Sequence, residues 1–369
     1  MYLLSIRDLI LPKFLCIIYI MKKIVTGLIV FIITFICLFA SACGNGGWAQ
    51  AYFTYFNTNV TITLKDANLN AQTKNKIESA LKTIEDELST DKTSSCVYNF
   101  NNATTGQLVT MTDTALLLIQ TAKDFDTHFP NKFSPAVYPL VDLWQFTPEK
   151  YNETFILPSE DDILTTKNLC DLDLINIDTE NNTASKTTDG VKLDFGGIAK
   201  GYALTQITDL LKPQNISMGY VNLGGSSIYV YGVPDYLGIS HPRKNTEIIR
   251  VMPSVVKNAF IGTSGDYQKY HIVGEKRYSH IIDLTTGSPA DTGFTSVTVV
   301  CNDGAFSDML STALMCFTYD EMTSLLSNTA LEFDVFAIYD KDGKKEVLTN
   351  KKQGEDFTLL DSEFVVKSF

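Results

Sequence analysis

The residues leading to Cys43 set the first expectation for this chain, a leader that is processed and a body that folds. Ahead of it, Met21-Lys22-Lys23 leads into an apolar run from Ile24 to Phe39, and Ala40-Ser41-Ala42 precede the cysteine. A charged start, a hydrophobic stretch and small residues before a cysteine have the layout of a bacterial lipoprotein signal, with Cys43 as the lipidated first residue after cleavage. A plain transmembrane anchor is the alternative, because Ile24 to Ala42 approaches spanning length. Gly44-Asn45-Gly46-Gly47 reads as a flexible tether and favours the lipoprotein. The expected organisation is a signal over 1–42, with 1–20 upstream of the true start at Met21. A lipidated cysteine and tether follow over 43–50, then one folded domain over 51–369. The expected location is the extracytoplasmic face of the cell membrane.

The net charge is -12, and Arg7, Lys13, Lys22 and Lys23 of the leader outweigh its Asp8, so the folded body is more acidic still. Such a body argues against nucleic-acid binding through a basic surface. A phosphate-bearing ligand would need a metal or a local cradle of N–H groups. Cys96, Cys170, Cys301 and Cys316 of the body show no CxxC and no metal-ligand spacing, so they read as buried small apolar residues.

Alternation predicts a strand from Trp48 to Leu64, and Ile77, Leu81, Ile84 and Leu88 recur at helical spacing. Ala115–Phe125 and Ser159–Asn168 read as helices, Asn131–Phe146 as loop and turn, and Leu174–Ile177 and Val191–Phe195 as strands. Strands dominate from Tyr220 onward, broken by a helix near Ala305–Phe317. The mixture is an α+β fold without regular βαβ alternation.

Four segments carry chemistry, each with a bland alternative. Leu193-Asp194-Phe195-Gly196-Gly197-Ile198-Ala199-Lys200 runs a strand into a carboxylate, two glycines and a helix start with free N–H groups. It is an anion site or a tight turn with a solvated lysine. Gly219-Tyr220-Val221-Asn222-Leu223-Gly224-Gly225-Ser226 is a ligand-facing strand or a bulged one. Thr263-Ser264-Gly265-Asp266-Tyr267 precedes Ser279-His280-Ile281-Ile282-Asp283-Leu284, where a histidine three positions from a carboxylate can be held in one tautomer and shuttle a proton, or simply cap a turn. On the predicted helix, Asp308, Ser311 and Thr312 share one face: a hard-oxygen set suited to Mg²⁺ with phosphate, or a helix cap on a solvated face.

In this order and company, the segments resemble the ApbE family of FAD:protein FMN transferases. The resemblance covers nearly the whole body. It includes Phe53–Thr61, Glu87-Leu88-Ser89, Tyr98-Asn99-Phe100-Asn101, Phe133, Pro139-Leu140 and Leu143-Trp144-Gln145-Phe146. It implies ApbE-like mixed sheets with flanking helices in a single compact domain. It implies Mg²⁺-dependent cleavage of the FAD pyrophosphate, with FMN passing to a Thr or Ser of a target protein through a phosphoester and AMP released. It further implies that Asp194 and Lys200 contact FAD and that Lys132, Phe133, Ser134 and Ile282 line the flavin pocket, with Asn59 near the ring edge. Gly197 (through its carbonyl), Asp308, Ser311 and Thr312 would hold the metal. His280 and Asp283 would stand at the reacting phosphate or position the acceptor hydroxyl. The partners expected are FAD, a membrane or extracellular redox protein as acceptor, and the membrane through Cys43. Two positions depart from the pattern: Ser134 replaces the family's usual Asp, and Leu284 its usual Pro. An FAD pyrophosphatase, a flavin-binding lipoprotein without catalysis and a purely structural surface lipoprotein are the competing readings.

Overall fold

The strand Phe294–Cys301 buries all eight of its residues, and this explains the layering of the molecule. Its side chains alternate between two cores: Val297, Val299 and Cys301 enter one, Val300 the other. The neighbouring strand does the same, with Val335 and Ala337 on the first side and Phe336 and Ile338 on the second. A sheet covered on both faces reads as a near-continuous apolar run.

The computed structural model describes residues 47–369, so the signal over 1–42, Cys43 and most of the tether lie outside the described residues. Trp48–Phe369 form one unit that begins three residues before the expected boundary at 51. Its central sheet has nine strands, in the spatial order Trp48–Tyr55, Thr58–Lys65, Met218–Leu223, Ser227–Tyr231, Phe260–Gly265, Phe294–Cys301, Asp334–Lys341, Lys344–Thr349 and Val365–Ser368. All neighbours are antiparallel except the last pair. The helices Ala71–Leu88, Ala199–Leu211 and Gly304–Met315 contribute their apolar faces to the first core. A three-stranded sheet of Phe357–Leu359, Glu247–Val251 and Leu237–Ser240 contributes to the second. A third cluster gathers Leu140, Trp144, Phe146, Cys170, Ile282 and Leu284. The α+β reading holds, with mixed sheets and flanking helices.

Three local expectations need correction. Trp48–Leu64 is a hairpin, turning at Phe56 and Asn57, both at φ 53°. Two residues with positive φ between paired strands form the favoured hairpin turn, which usually carries Gly or Asn. Phe56 hid it, because the apolar alternation continues through the turn. Asn131–Phe146 is not all loop; it holds a 3₁₀ turn, Pro135–Val137, and a short helix, Tyr138–Leu143. Val191–Phe195 is not a strand; it pairs with no other segment of any sheet. Cys96, Cys170, Cys301 and Cys316 are free and buried, as expected, and burial pushes the thiols of Cys170 and Cys301 up to about 12.

Candidate active site

Two helices meet where neither has a side chain. A Cβ on Gly201 would overlap the Gly304 carbonyl, and one on Gly304 would overlap the Gly201 carbonyl. This close approach brings the first turn of the 199–211 helix to Asp308 of the 304–315 helix. The Gly201 N–H donates to Asp308 Oδ2 at 2.7 Å, and the Ser227 hydroxyl donates to Oδ1 at 2.8 Å. Gly262 lets the same helix lie against the sheet, since a Cβ there would overlap the Ser307 carbonyl. One turn further on, Ser311 Oγ and Thr312 Oγ1 each lie 3.0 Å from Ser264 Oγ of the adjoining strand. Asp308 is only 6% exposed. Burial pushes its carboxyl up to about 6, against the opposing pull of Lys200, Ser227 and the Gly201 N–H. A Gly201→Ala substitution should destabilise the protein by about 3 kcal/mol through overpacking. Its melting temperature should fall by roughly 5 °C, which a thermal melt would read.

Asp308, Ser311 and Thr312 line a cleft of about 900 Å³. Its other walls include Phe56, Asn57 and Thr58 of the hairpin turn, Leu88–Lys92, Lys132–Ser134, Asp194–Gly197, Lys200, Lys269 and His280–Ile282. The loop Asp194–Gly197 is tightly tied. Asp194 Oδ1 accepts from the Gly196 N–H at 2.6 Å, and the Asp194 N–H donates to the Pro135 carbonyl at 2.7 Å. Burial raises the Asp194 carboxyl, with the Gly196 N–H, Lys269 and Lys200 acting the other way. Gly197 packs on the edge of Phe133, where a Cβ would come within 2.8 Å of the ring. Among the described residues Lys200 Nζ reaches the Gly196 carbonyl alone, at 3.4 Å, and Lys269 Nζ lies over the Tyr151 ring. Neither lysine forms a salt bridge among the described residues, so both ammonium groups stay open to an incoming anion while acting at longer range on Asp194 and Asp308.

His280 sits half-buried in the wall. Its Nδ1 lies 3.2 Å from the Lys269 carbonyl, and its backbone N–H donates to the same oxygen at 3.1 Å. A carbonyl can only accept, so Nδ1 carries the proton and Nε2 presents a lone pair. Burial holds the ring neutral, pushing it down to about 4, with the cations Lys269 and Lys200 adding to the effect.

The structure does not bring Asp283 to His280. Asp283 accepts from the Thr285 N–H at 2.8 Å, closes the turn before Gly287 and does not line the cleft. The carbonyl of Lys269 takes the orienting part assigned to it. Asn59 also lies off the cleft; it is exposed, and its carbonyl accepts from the Gly224 N–H while its neighbours Asn57 and Thr58 face inward. Lys132, Phe133, Ser134, Gly197 and Ile282 do line it. However, Lys132 Nζ is occupied by Glu321 and the Cys316 carbonyl. The Ser134 hydroxyl donates to the Cys170 carbonyl and caps the 3₁₀ turn through the Ala136 N–H. Leu284 packs into the third core. Reading by spacing missed Ser227 and Lys269, and it singled out the segment of Ser264 without its contact to Ser311 and Thr312. Ser227 lies one residue beyond a motif already singled out, and Lys269 reaches His280 only across a hairpin.

The candidate ligand atoms of Asp308, Ser311 and Thr312 are all oxygen, which suits a hard cation such as Mg²⁺. Among the described residues no three His, Cys, Asp or Glu side chains converge as a metal cluster. A cation here would therefore lean on one carboxylate, hydroxyls, a carbonyl and the oxygens of its ligand.

The ApbE family model matches residues 56–336. A Vibrio cholerae protein named FAD:protein FMN transferase is 30% identical over 244 residues, 65% of this chain and 72% of its own length. One from Klebsiella pneumoniae is 27% identical over 287 residues, 78% of this chain and 87% of its own. Among solved structures, the ApbE protein of Thermotoga maritima superposes with a TM-score of 0.71 at 26% identity, covering 79% of this chain and 94% of that one. The flavin transferase ApbE of Vibrio cholerae gives 0.70 at 24%, covering 82% and 97%, a likeness of fold.

Proposed function

This chain belongs to the ApbE family, and from that premise we propose that it is an FAD:protein FMN transferase working on an extracytoplasmic acceptor. The observation that carries the reading is the convergence, in one cleft, of a buried carboxylate with two neighbouring hydroxyls, two lysines outside any salt bridge and a neutral histidine whose Nε2 has no partner among the described residues.

In this reading Lys200 and Lys269 attract the FAD pyrophosphate, and the cleft wall at Phe133 and Ile282 receives the flavin. The acceptor's Thr or Ser oxygen attacks the FMN phosphorus. A new P–O bond to the acceptor forms, the bond between phosphorus and the bridging oxygen breaks, and AMP leaves with that oxygen. His280 Nε2 takes the hydroxyl proton, while the Lys269 carbonyl keeps the ring in the tautomer that can do so. Asp308, Ser311, Thr312 and the Gly197 carbonyl would hold Mg²⁺, whose charge would neutralise the pyrophosphate as it breaks. Phosphoryl transfer needs little else than such positioning and charge.

The proposal extends to location. A lipid on Cys43 would hold the enzyme at the outer face of the membrane, where the acceptor would be a membrane or extracellular redox protein. The supporting pattern is the sequence from Met21 to Cys43.

The test is incubation with FAD, Mg²⁺ and a candidate acceptor, read by mass spectrometry. The expected outcome is an acceptor heavier by one FMN, stopped by a chelator. Free FMN with an unmodified acceptor would replace transfer by hydrolysis, and failure to bind FAD would remove the reading altogether.

A further inference from the structure

The cleft loop hangs on side chains that never reach the cleft. Residues Val191 to Asp194 belong to no helix or strand, and no strand pairs with them. Their buried backbone groups still require partners. Asn101, from the helix Cys96–Asn102, supplies two: its Oδ1 accepts from the Leu193 N–H at 2.7 Å, and its Nδ2 donates to the Leu193 carbonyl at 2.9 Å. One carboxamide thus takes the place of a neighbouring strand. Lys186, at the end of the strand Thr183–Lys186, supplies a third. Its Nζ donates to the Val191 carbonyl at 2.7 Å and to the backbone carbonyl of Asn101 at 3.3 Å, while lying over the Phe100 ring. Lys186 is 2% exposed and has no carboxylate partner among the described residues. A buried ammonium without a counter-charge is costly, and burial lowers its pKa to about 8.

We infer that Asn101 and Lys186 are positioning residues. Together they clamp Val191–Leu193 from behind and so preset the Asp194–Gly197 loop to receive the dinucleotide's phosphates. The inference rests on the functional reading above. It concerns residues that touch neither substrate nor any proposed metal ligand. Removing the clamp leaves the loop in several conformations, of which only a fraction bind. Apparent affinity then falls by that fraction, while every folded molecule still binds when ligand is in excess.

The experiment titrates FAD, with Mg²⁺ present, by the quenching of its fluorescence, well below the melting temperature. Wild type, Asn101→Leu and Lys186→Met are compared. The expected result is a dissociation constant raised about tenfold in each variant with one site per chain retained. Fewer sites at unchanged affinity would mean that the pair only supports the fold, and unchanged affinity and capacity would mean that the loop holds itself; either overturns the inference. Should Asn101→Leu fail to fold, Lys186→Met decides by the same criteria. Wild type failing to bind FAD would instead overturn the functional reading beneath it.

Discussion

Asp308→Asn should leave a folded protein that transfers flavin about 10³-fold more slowly, because a cation that neutralises a breaking pyrophosphate contributes several kcal/mol. The fold should survive for a specific reason. Asp308 is held by one N–H donor, Gly201, and one hydroxyl, Ser227. An asparagine oxygen placed at Oδ2 can accept from the Gly201 N–H and from the Ser227 hydroxyl, which lies 3.1 Å from that position, so both donors keep an acceptor. The substitution also removes a buried negative charge that has no ion-pair partner within the described residues. Its melting temperature should equal or exceed the parent's, the usual sign that a residue serves function at the expense of stability. The informative contrast is Asp308→Ala. It strips both donors of their acceptor, costing about 2 kcal/mol, so loss of activity there mixes chemistry with stability. Equal transfer rates for wild type and Asp308→Asn, measured by FMN mass on the acceptor, would remove the carboxylate from the mechanism.

The parts of this architecture that announce themselves in sequence are those set by local periodicity. Ile77, Leu81, Ile84 and Leu88 mark a helix because a 3.6-residue repeat must bury one stripe, and all four are buried. Gly196 and Gly197 mark a turn before a helix because the backbone there must come close to something. In the event Gly197 comes close to Phe133. What stayed hidden was non-local. Val191–Phe195 has the composition of a strand, but its partner is the side chain of Asn101, about 90 positions away, and no window of alternation encodes that. Ser227 completes the Asp308 site from 81 positions away. The hairpin turn at Phe56 and Asn57 lacked its usual glycine, so apolar alternation ran through it. Asp283 shows the reverse error: proximity in sequence suggested a histidine partner, yet the chain turns at Asp283 and carries its carboxylate to the Thr285 N–H.

His280 gives the second large effect. His280→Ala should slow transfer by about 10²- to 10⁴-fold, the range for losing a positioned base. The ring's protonation adds a sharper expectation. Its pKa falls from the usual 6.5 to about 4, chiefly through burial. A depressed pKa means that the native state resists protonation. The associated stability is present above pH 6.5 and is lost as pH falls through about 4. The ring should thus stay neutral, with Nε2 ready to accept, across the range where an exposed histidine becomes charged. The chain contains 4 histidines, so their ring-proton resonances can be followed one by one by NMR, and His280→Ala identifies the one that vanishes. That resonance should hold its neutral position from pH 8 down to about 5. A midpoint near 6.5 would mean that the wall around His280 admits water freely and that burial does not hold the ring neutral.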